Sequence, residues 1–302
     1  GYLRPRGLFS VDAGNGCRFV MNPASSIESK VFWYGLTGEW ERESMKVWSY
    51  FVDRSHMVAD VGANTGIYSL VAKSRNAALK VTAFEPVGKI RRILLCNLKS
   101  NNYEVQVEAA AVSYKSGTMK MIVPSDIEVP YSSSLARNYY GESNVEEVQV
   151  DVICLDDYFQ SNVPDLIKID VEGAEVDVLI GMRRIFEQHP VVLVEISRYC
   201  DNKSLLRIEE YIKTLGYKFF VTREDAPYKS VESLSVEFGD VYANFLLMPE
   251  SIARQAAAAA PLARAIGPCP AARPACRPAP VAAHVGQTAA GILAATGLRR
   301  VY

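Results

Sequence analysis

Short apolar blocks closed by small, acidic or turn-forming residues recur through the middle of the chain, and stretches of helical period separate them. The blocks predict strands at about 58–61, 80–85, 105–112, 166–170, 191–196, 217–222 and 242–247. Helices are expected at about 66–75, 87–101, 174–187 and 203–215. This alternation is that of βαβ units, so the fold expected is α/β: a doubly wound, mostly parallel seven-stranded sheet. Upstream, residues 1–55 form a lead-in in which Trp40, Met45, Val47, Trp48 and Phe51 fall at helical spacing. Between residues 113 and 160 the rhythm breaks. There 119–123 and 147–153 alternate like the strands of a hairpin, around a polar stretch holding Tyr131-Ser132-Ser133-Ser134-Leu135. Three regions result: a lead-in (1–55), a sheet domain (56–250) with an insertion (113–160), and a tail (251–302).

Composition sharpens the last boundary. Residues 254–302 contain 17 Ala, six Pro and six Arg, with no acidic residue and no sustained apolar period, so the tail is expected to be disordered. Without it the chain holds 27 basic and 34 acidic residues, a net charge of −7, which argues against a nucleic-acid partner. The chain has 302 residues, 49% of them hydrophobic, enough for one sizeable core. Its six cysteines form no C-x-x-C pair and it has three histidines, which disfavours a zinc site or a disulfide framework. No apolar run reaches the roughly 18 residues of a membrane span, and no basic-then-apolar leader opens the chain. A cytoplasmic protein is expected.

The most specific segment is His56-Met57-Val58-Ala59-Asp60-Val61-Gly62-Ala63-Asn64-Thr65-Gly66-Ile67, a strand running through a glycine turn into a helix. About 20 residues further on a second strand ends in Glu85, the spacing at which doubly wound folds set an acid against a ribose diol. A dinucleotide fingerprint would need a glycine where Asn64 stands, and Asp60 would repel a pyrophosphate. An acid there suits a ligand carrying an ammonium group. The profile is that of S-adenosylmethionine. An insertion between the third and fourth strands would lie over the ligand-binding edge of such a sheet, as a lid over the acceptor, and the helix near 39–51 would cap the cleft.

A second segment, Ile167-Lys168-Ile169-Asp170-Val171-Glu172-Gly173-Ala174-Glu175, delivers Asp170 and Glu172 to a strand end. Together with Asp60-Val61-Gly62-Ala63-Asn64 and Ser133-Ser134-Leu135, it resembles the FkbM family of S-adenosylmethionine-dependent methyltransferases, over roughly residues 35–250. The resemblance implies a class I methyltransferase fold with the last strand antiparallel, and O-methylation of a sugar, glycan or secondary-metabolite hydroxyl. It also implies that Asp60, Gly62, Asn64 and Gly66 form the loop under the methionine part and that Glu85 holds the ribose. Ala110, within Ala109-Ala110-Ala111, stands where many class I enzymes present an acid to adenine, leaving the base to be read by backbone and packing.

Methylating an alcohol requires its oxygen in line with the methyl group and a partner for its proton. Asp170, Glu172 and Glu195, the last closing Val191-Val192-Leu193-Val194, should converge at the sheet edge. They could supply a general base or bind Mg²⁺, and Glu172 and Glu175 also suit the N-terminal turn of the following helix. The base is the reading adopted, and a metal is not expected. Lys168 shares the face of Asp170 and should pair with an acid. His56 and His189 are expected at the surface. Two other functions stay open: a non-catalytic domain that binds the nucleoside ligand, and an N-methyltransferase, although Asp170-Val171-Glu172-Gly173 is not the Asn/Asp-Pro-Pro-Tyr type of motif such enzymes carry.

Overall fold

The apolar blocks of the middle of the chain are the strands of one large sheet, and the periodic stretches between them are the helices that cover it. The structure, a computed structural model, describes residues 6–36, 38, 41–124, 145–198, 200–222, 229–236, 240 and 242–258. The chain divides into two units, Gly1–Pro268 and Cys269–Tyr302, the second lying outside the described residues. Tyr131-Ser132-Ser133-Ser134-Leu135 and Trp40 also lie outside them.

The lead-in is more structured than its sequence suggests. Strands β1 (Phe9–Gly14) and β2 (Cys17–Met21) form an antiparallel hairpin, followed by α1 (Ser26–Tyr34) and α2 (Arg42–Val52). Ser25 and Glu28 cap α1 reciprocally, the serine accepting from Ile27 N and the glutamate from Ser25 N.

The sheet domain then runs β3 (Met57–Val61), α3 (Ile67–Arg75), β4 (Lys80–Phe84), α4 (Gly88–Ser100), β5 (Gln106–Glu108), β6 (Ala110–Val112), β7 (Gly117–Pro124) and β8 (Val145–Ile153). After these come α5 (Leu155–Tyr158), β9 (Leu166–Ile169), α6 (Glu175–Ile180), α7 (Arg183–Phe186), β10 (Val191–Ser197), α8 (Asn202–Thr214), β11 (Tyr217–Thr222), β12 (Lys229–Val231), β13 (Tyr242–Pro249) and α9 (Glu250–Ala258). The large sheet has the order β12-β11-β13-β10-β9-β3-β4-β5. Its strands from β10 to β5 are parallel, and β13 is antiparallel to both β10 and β11.

The fold class is as expected, but the strand count is eight rather than seven, because the three-residue β12 pairs with β11 at the edge. Three residues are too few to show a period. The single strand expected over 105–112 is two: β5 joins the large sheet, whereas β6 pairs with β8 in a separate three-stranded sheet, β6-β8-β7. The helix expected over 174–187 breaks at Gly181, whose carbonyl accepts from Asp156 N; a Cβ there would meet Ser113 O at 2.6 Å. Order also continues past residue 250, since α9 buries Ala253 and Ala256 against the sheet domain.

Strand alternation splits the core into two layers. Val58, Leu166, Val191 and Leu193 face α2, α3, α4 and α9, while Ala59, Ile167, Ile169, Val192 and Val194 face α5, α6, α7 and α8. The parallel strands all end on one side, which sets the residues following β3, β4, β9 and β10 along a single edge. No helix among the described residues is long and apolar enough to cross a membrane.

Candidate active site

The glycine turn after β3 is locked from both sides. Gly62 N and Ala63 N donate to Phe84 O at 3.1 and 3.0 Å, and Asp170 N donates to Val61 O at 3.0 Å. Gly62 has φ 80°, and a Cβ on it would lie 1.8 Å from Asp170 O, so no other residue fits without moving the backbone. Asn64, at φ 49°, tolerates the left-handed region better than most side chains, and its N–H donates to Glu85 Oε2 at 3.0 Å. Glu85 Oε1 accepts from Val87 N at 2.8 Å, so one buried carboxylate ties the turn to the start of α4. The hydroxyl of Thr65 donates to Glu28 of α1.

A cavity of about 770 Å³ opens over this edge. Position along it follows the strand order. Glu195 and Asn244, from the adjacent strands β10 and β13, lie at one end beside Asp170 and Glu172; Gly62 and Asn64 lie in the middle; Glu85 comes next. Ile90, Ala110, Ala111, Val112 and Met121 make the far end apolar. Glu41, the residue before α2, adds a fourth carboxylate to the acidic end. Glu41 (φ 42°), Asn64 and Glu172 (φ 56°) all line the cavity with left-handed backbones, a conformation unfavourable for a glutamate that is found preferentially at functional sites.

A buried cation serves this cluster from below. Lys168, 1% exposed on the central strand β9, places Nζ 3.3 Å from Asp170 Oδ2 and 5.1 Å from the centre of the Tyr68 ring. Tyr68 in turn donates its hydroxyl to Glu41. Burial alone would pull the lysine pKa down, but Asp170 first, then Glu41 and Glu195, push it above its ordinary value. Four of the cavity carboxylates, Glu41, Glu85, Glu172 and Glu195, are likewise pushed up from the usual acidic range. Burial, then the charge of Asp170, raises Glu172 to about 8 and Glu195 to about 10. Burial also raises Glu41, against the pull of Lys168, and lifts Glu85 to about 7.

Of the residues named from sequence, Gly62, Asn64, Glu85, Ala110, Asp170, Glu172 and Glu195 line this one cavity, and Asp60 and Gly66 do not. Asp60 is buried and accepts from Ser69 N and Oγ at 3.0 and 2.6 Å, pinning α3 to β3. Gly66, at φ 94°, starts α3 where a Cβ would meet Leu94 Cδ1 at 2.3 Å. His56 and His189 are exposed, and Lys168 pairs with Asp170 as its register suggested. Glu41, Tyr68 and the face of α1 that presents Ser26, Ile27 and Lys30 also line the cavity, none of them expected from the sequence. The Ser25-x-x-Glu28 capping box was the signal available for α1. One oxygen from each of Glu41, Asp170 and Glu195 lies within 4.8 Å of the others, a spacing that a divalent cation could bridge.

Known proteins are similar to this chain over the same region. Methyltransferase sdnD of Sordaria araneosa is 30% identical over 156 residues, covering 41% of this chain and 60% of that protein. Methyltransferase 1 of Beauveria bassiana is 27% identical over 201 residues, covering 58% and 77%. The chain thus spans about three fifths of the first relative's length. Among solved structures, Methyltransferase FkbM from Methylobacillus flagellatus matches with a TM-score of 0.40 at 19% identity, over 64% of this chain and 43% of that one. The family model described as Methyltransferase FkbM domain matches residues 60–219, more than half of the chain, from the strand-end Asp60 through both segments that build the cavity. The chain belongs to the FkbM methyltransferase family.

Proposed function

We propose that the domain transfers a methyl group from S-adenosylmethionine to a hydroxyl oxygen of a small molecule or glycan, with Asp170 as the base. The residues present fit that cofactor. The cavity volume lies within the roughly 300–1,000 Å³ of small-molecule sites. Glu85 keeps lone pairs beyond the two N–H groups it accepts from, so it can take ribose hydroxyls. The tight turn at Gly62-Ala63-Asn64 puts backbone on the cavity wall, where it would hold the methionine part. With the ribose at Glu85, Ala110 and Met121 would hold the base and Asp170 would face the reacting end.

The bound cofactor supplies an electrophilic methyl group. The chain's own residues orient the acceptor and take its proton. Glu172 and Glu195, holding protons near neutral pH, donate hydrogen bonds to the acceptor, and Asp170, fixed by Lys168, accepts the hydroxyl proton. Tyr242 and Asn244 complete the wall at that end. Lys168 already offsets part of the carboxylate charge, so this reading requires no Mg²⁺.

The observation that carries the proposal is the convergence of Asp170, Glu172 and Glu195 at one end of the cavity that holds Glu85 further along. Calorimetric titration with S-adenosylhomocysteine tests the pocket, and tritiated methyl transfer into a panel of glycans and hydroxylated metabolites tests the reaction. Binding without transfer to any hydroxyl or amine would reduce the domain to a nucleoside binder, and label recovered on nitrogen would replace O-methylation.

A further inference from the structure

The β7–β8 hairpin contributes to the cavity at the end opposite the acidic cluster. Met121, on β7, is buried and lines the cavity beside Ile90, Ala111 and Val112. The hairpin is held there by its own small core: Met121, Val123, Val150 and Val152 pack on Val87, Ile90 and Ala111, with Ile93 and Ala24 at the margin. Val87 is also the residue whose N–H donates to Glu85 Oε1, so the hairpin, the start of α4 and the Glu85 carboxylate form one contiguous unit. Its anchor at the other side is β6, which pairs with β8 through Ala110, Ala111 and Val112.

We propose that this hairpin is a roof over the nucleobase rather than a lid over the acceptor, and that Met121 is its contact residue. The inference rests on the cofactor reading above, because Glu85 fixes which end of the cavity takes the base. A thioether against a heteroaromatic ring gives contact without demanding a particular donor or acceptor. It suits a slot whose other side chains (Ile90, Ala110, Ala111 and Val112) carry no polar group. The base is thus recognised by fit, through an element that lies outside the large sheet.

The 302-residue chain is titrated with S-adenosylhomocysteine by calorimetry, as wild type and as Met121→Ala, Met121→Leu and Lys120→Ala. Lys120 sits on the opposite face of β7, in an exposed pair with Glu147, and serves as the control. Met121→Ala is expected to weaken binding by about tenfold, the order expected for losing most of a buried apolar side chain from a contact. Met121→Leu and Lys120→Ala should stay within about threefold of wild type. In the wild type, hydrogen exchange at amides 117–123 and 148–152 should slow when the ligand binds, which gives an answer even if Met121→Ala unfolds. Wild-type binding with unchanged hairpin exchange, or a folded Met121→Ala that binds normally, overturns the roof and leaves the cofactor reading standing. Failure of the wild type to bind removes the cofactor reading itself, and the roof with it.

Discussion

Lys168 and Asp170 share an ion pair that is buried on one side only: Nζ lies 3.3 Å from Oδ2, with the lysine side chain 1% exposed and the aspartate 27%. The lysine cannot reach solvent, and the aspartate can reach a ligand. The pair therefore anchors the Asp170 carboxylate from beneath without occupying the cleft. In the proposed reaction, Asp170→Asn keeps S-adenosylhomocysteine affinity and lowers turnover of the identified acceptor by about 10²–10⁴. Turnover should survive EDTA, because Lys168 supplies the positive charge that a metal would otherwise bring. Collapse with EDTA and rescue by Mg²⁺ would reassign Glu41, Asp170 and Glu195 as metal ligands.

If Glu85 holds the ribose as proposed, cofactor binding should depend on pH. Burial raises its pKa to about 7, and only the ionised form accepts strongly from a ribose hydroxyl. Affinity for S-adenosylhomocysteine should fall as pH drops from 8 to 6, because the carboxylate is protonated across that interval. Glu85→Ala should lose about 1.5–3 kcal/mol at pH 8 and flatten the profile. A profile that persists in Glu85→Ala would assign the titration to another group.

The acidic cluster makes the fold sensitive to alkali. Glu172 and Glu195 hold their protons more tightly when folded, at about 8 and about 10, than at the ordinary 4.5. Wherever the native state binds more protons than the unfolded chain, stability falls with rising pH. The contribution is complete below about 4.5 and is lost as pH climbs through 8 and then 10. Calorimetry should show a lower melting temperature at pH 9.5 than at pH 6, with Glu195→Gln closing part of the gap. Equal melting of the variant and the wild type at high pH would show that Glu195 carries none of it.

The two glycines of the turn should differ in tolerance. A Cβ at Gly62 meets backbone, Asp170 O at 1.8 Å, whereas at Gly66 it meets the end of a flexible side chain, Leu94 Cδ1 at 2.3 Å. Both carry positive φ, so both substitutions strain the chain. Gly62→Val should fail to fold or lose ligand binding altogether, and Gly66→Ala should fold with a reduced melting temperature. The reverse order, read by thermal melting, would misplace the tighter contact.

Truncation should separate the last helix from the tail. Ala253 and Ala256 of α9 are buried against the sheet domain, so ending the chain at Pro249 exposes apolar core and should lower the melting temperature. Ending it at Ala258 removes only the Ala-, Pro- and Arg-rich remainder and should leave melting and ligand affinity unchanged. Loss of stability in the longer version would show that residues after 258 pack on the domain.

The central strands were legible because parallel strands buried on both faces read as near-continuous apolar runs, as in Val191-Val192-Leu193-Val194. Gly62 and Asp170 were legible for a similar reason: each follows such a run directly. Asp60 was legible as a strand-end acid but not in its use, since its partner Ser69 lies nine residues on, inside α3. The first hairpin carries sequence signals of its own. Phe9, Val11 and Ala13 alternate with exposed residues, and Asn15-Gly16, both at positive φ, form the turn. Glu41 gave no local signal, because it reaches Asp170 and Glu195 only through the packing of α2 over α3.

The bond from Thr65 to Glu28 bears on where this domain begins. Similarity to the family starts at residue 60, yet the loop that follows is held by a buried side chain from α1, and one wall of the acidic end comes from Glu41. A cassette cut at the border of similarity would carry the sheet and leave its front wall behind. Transplanting this domain into another protein, or recombining it with a relative, requires a crossover upstream of Ser25, where the cap of α1 begins.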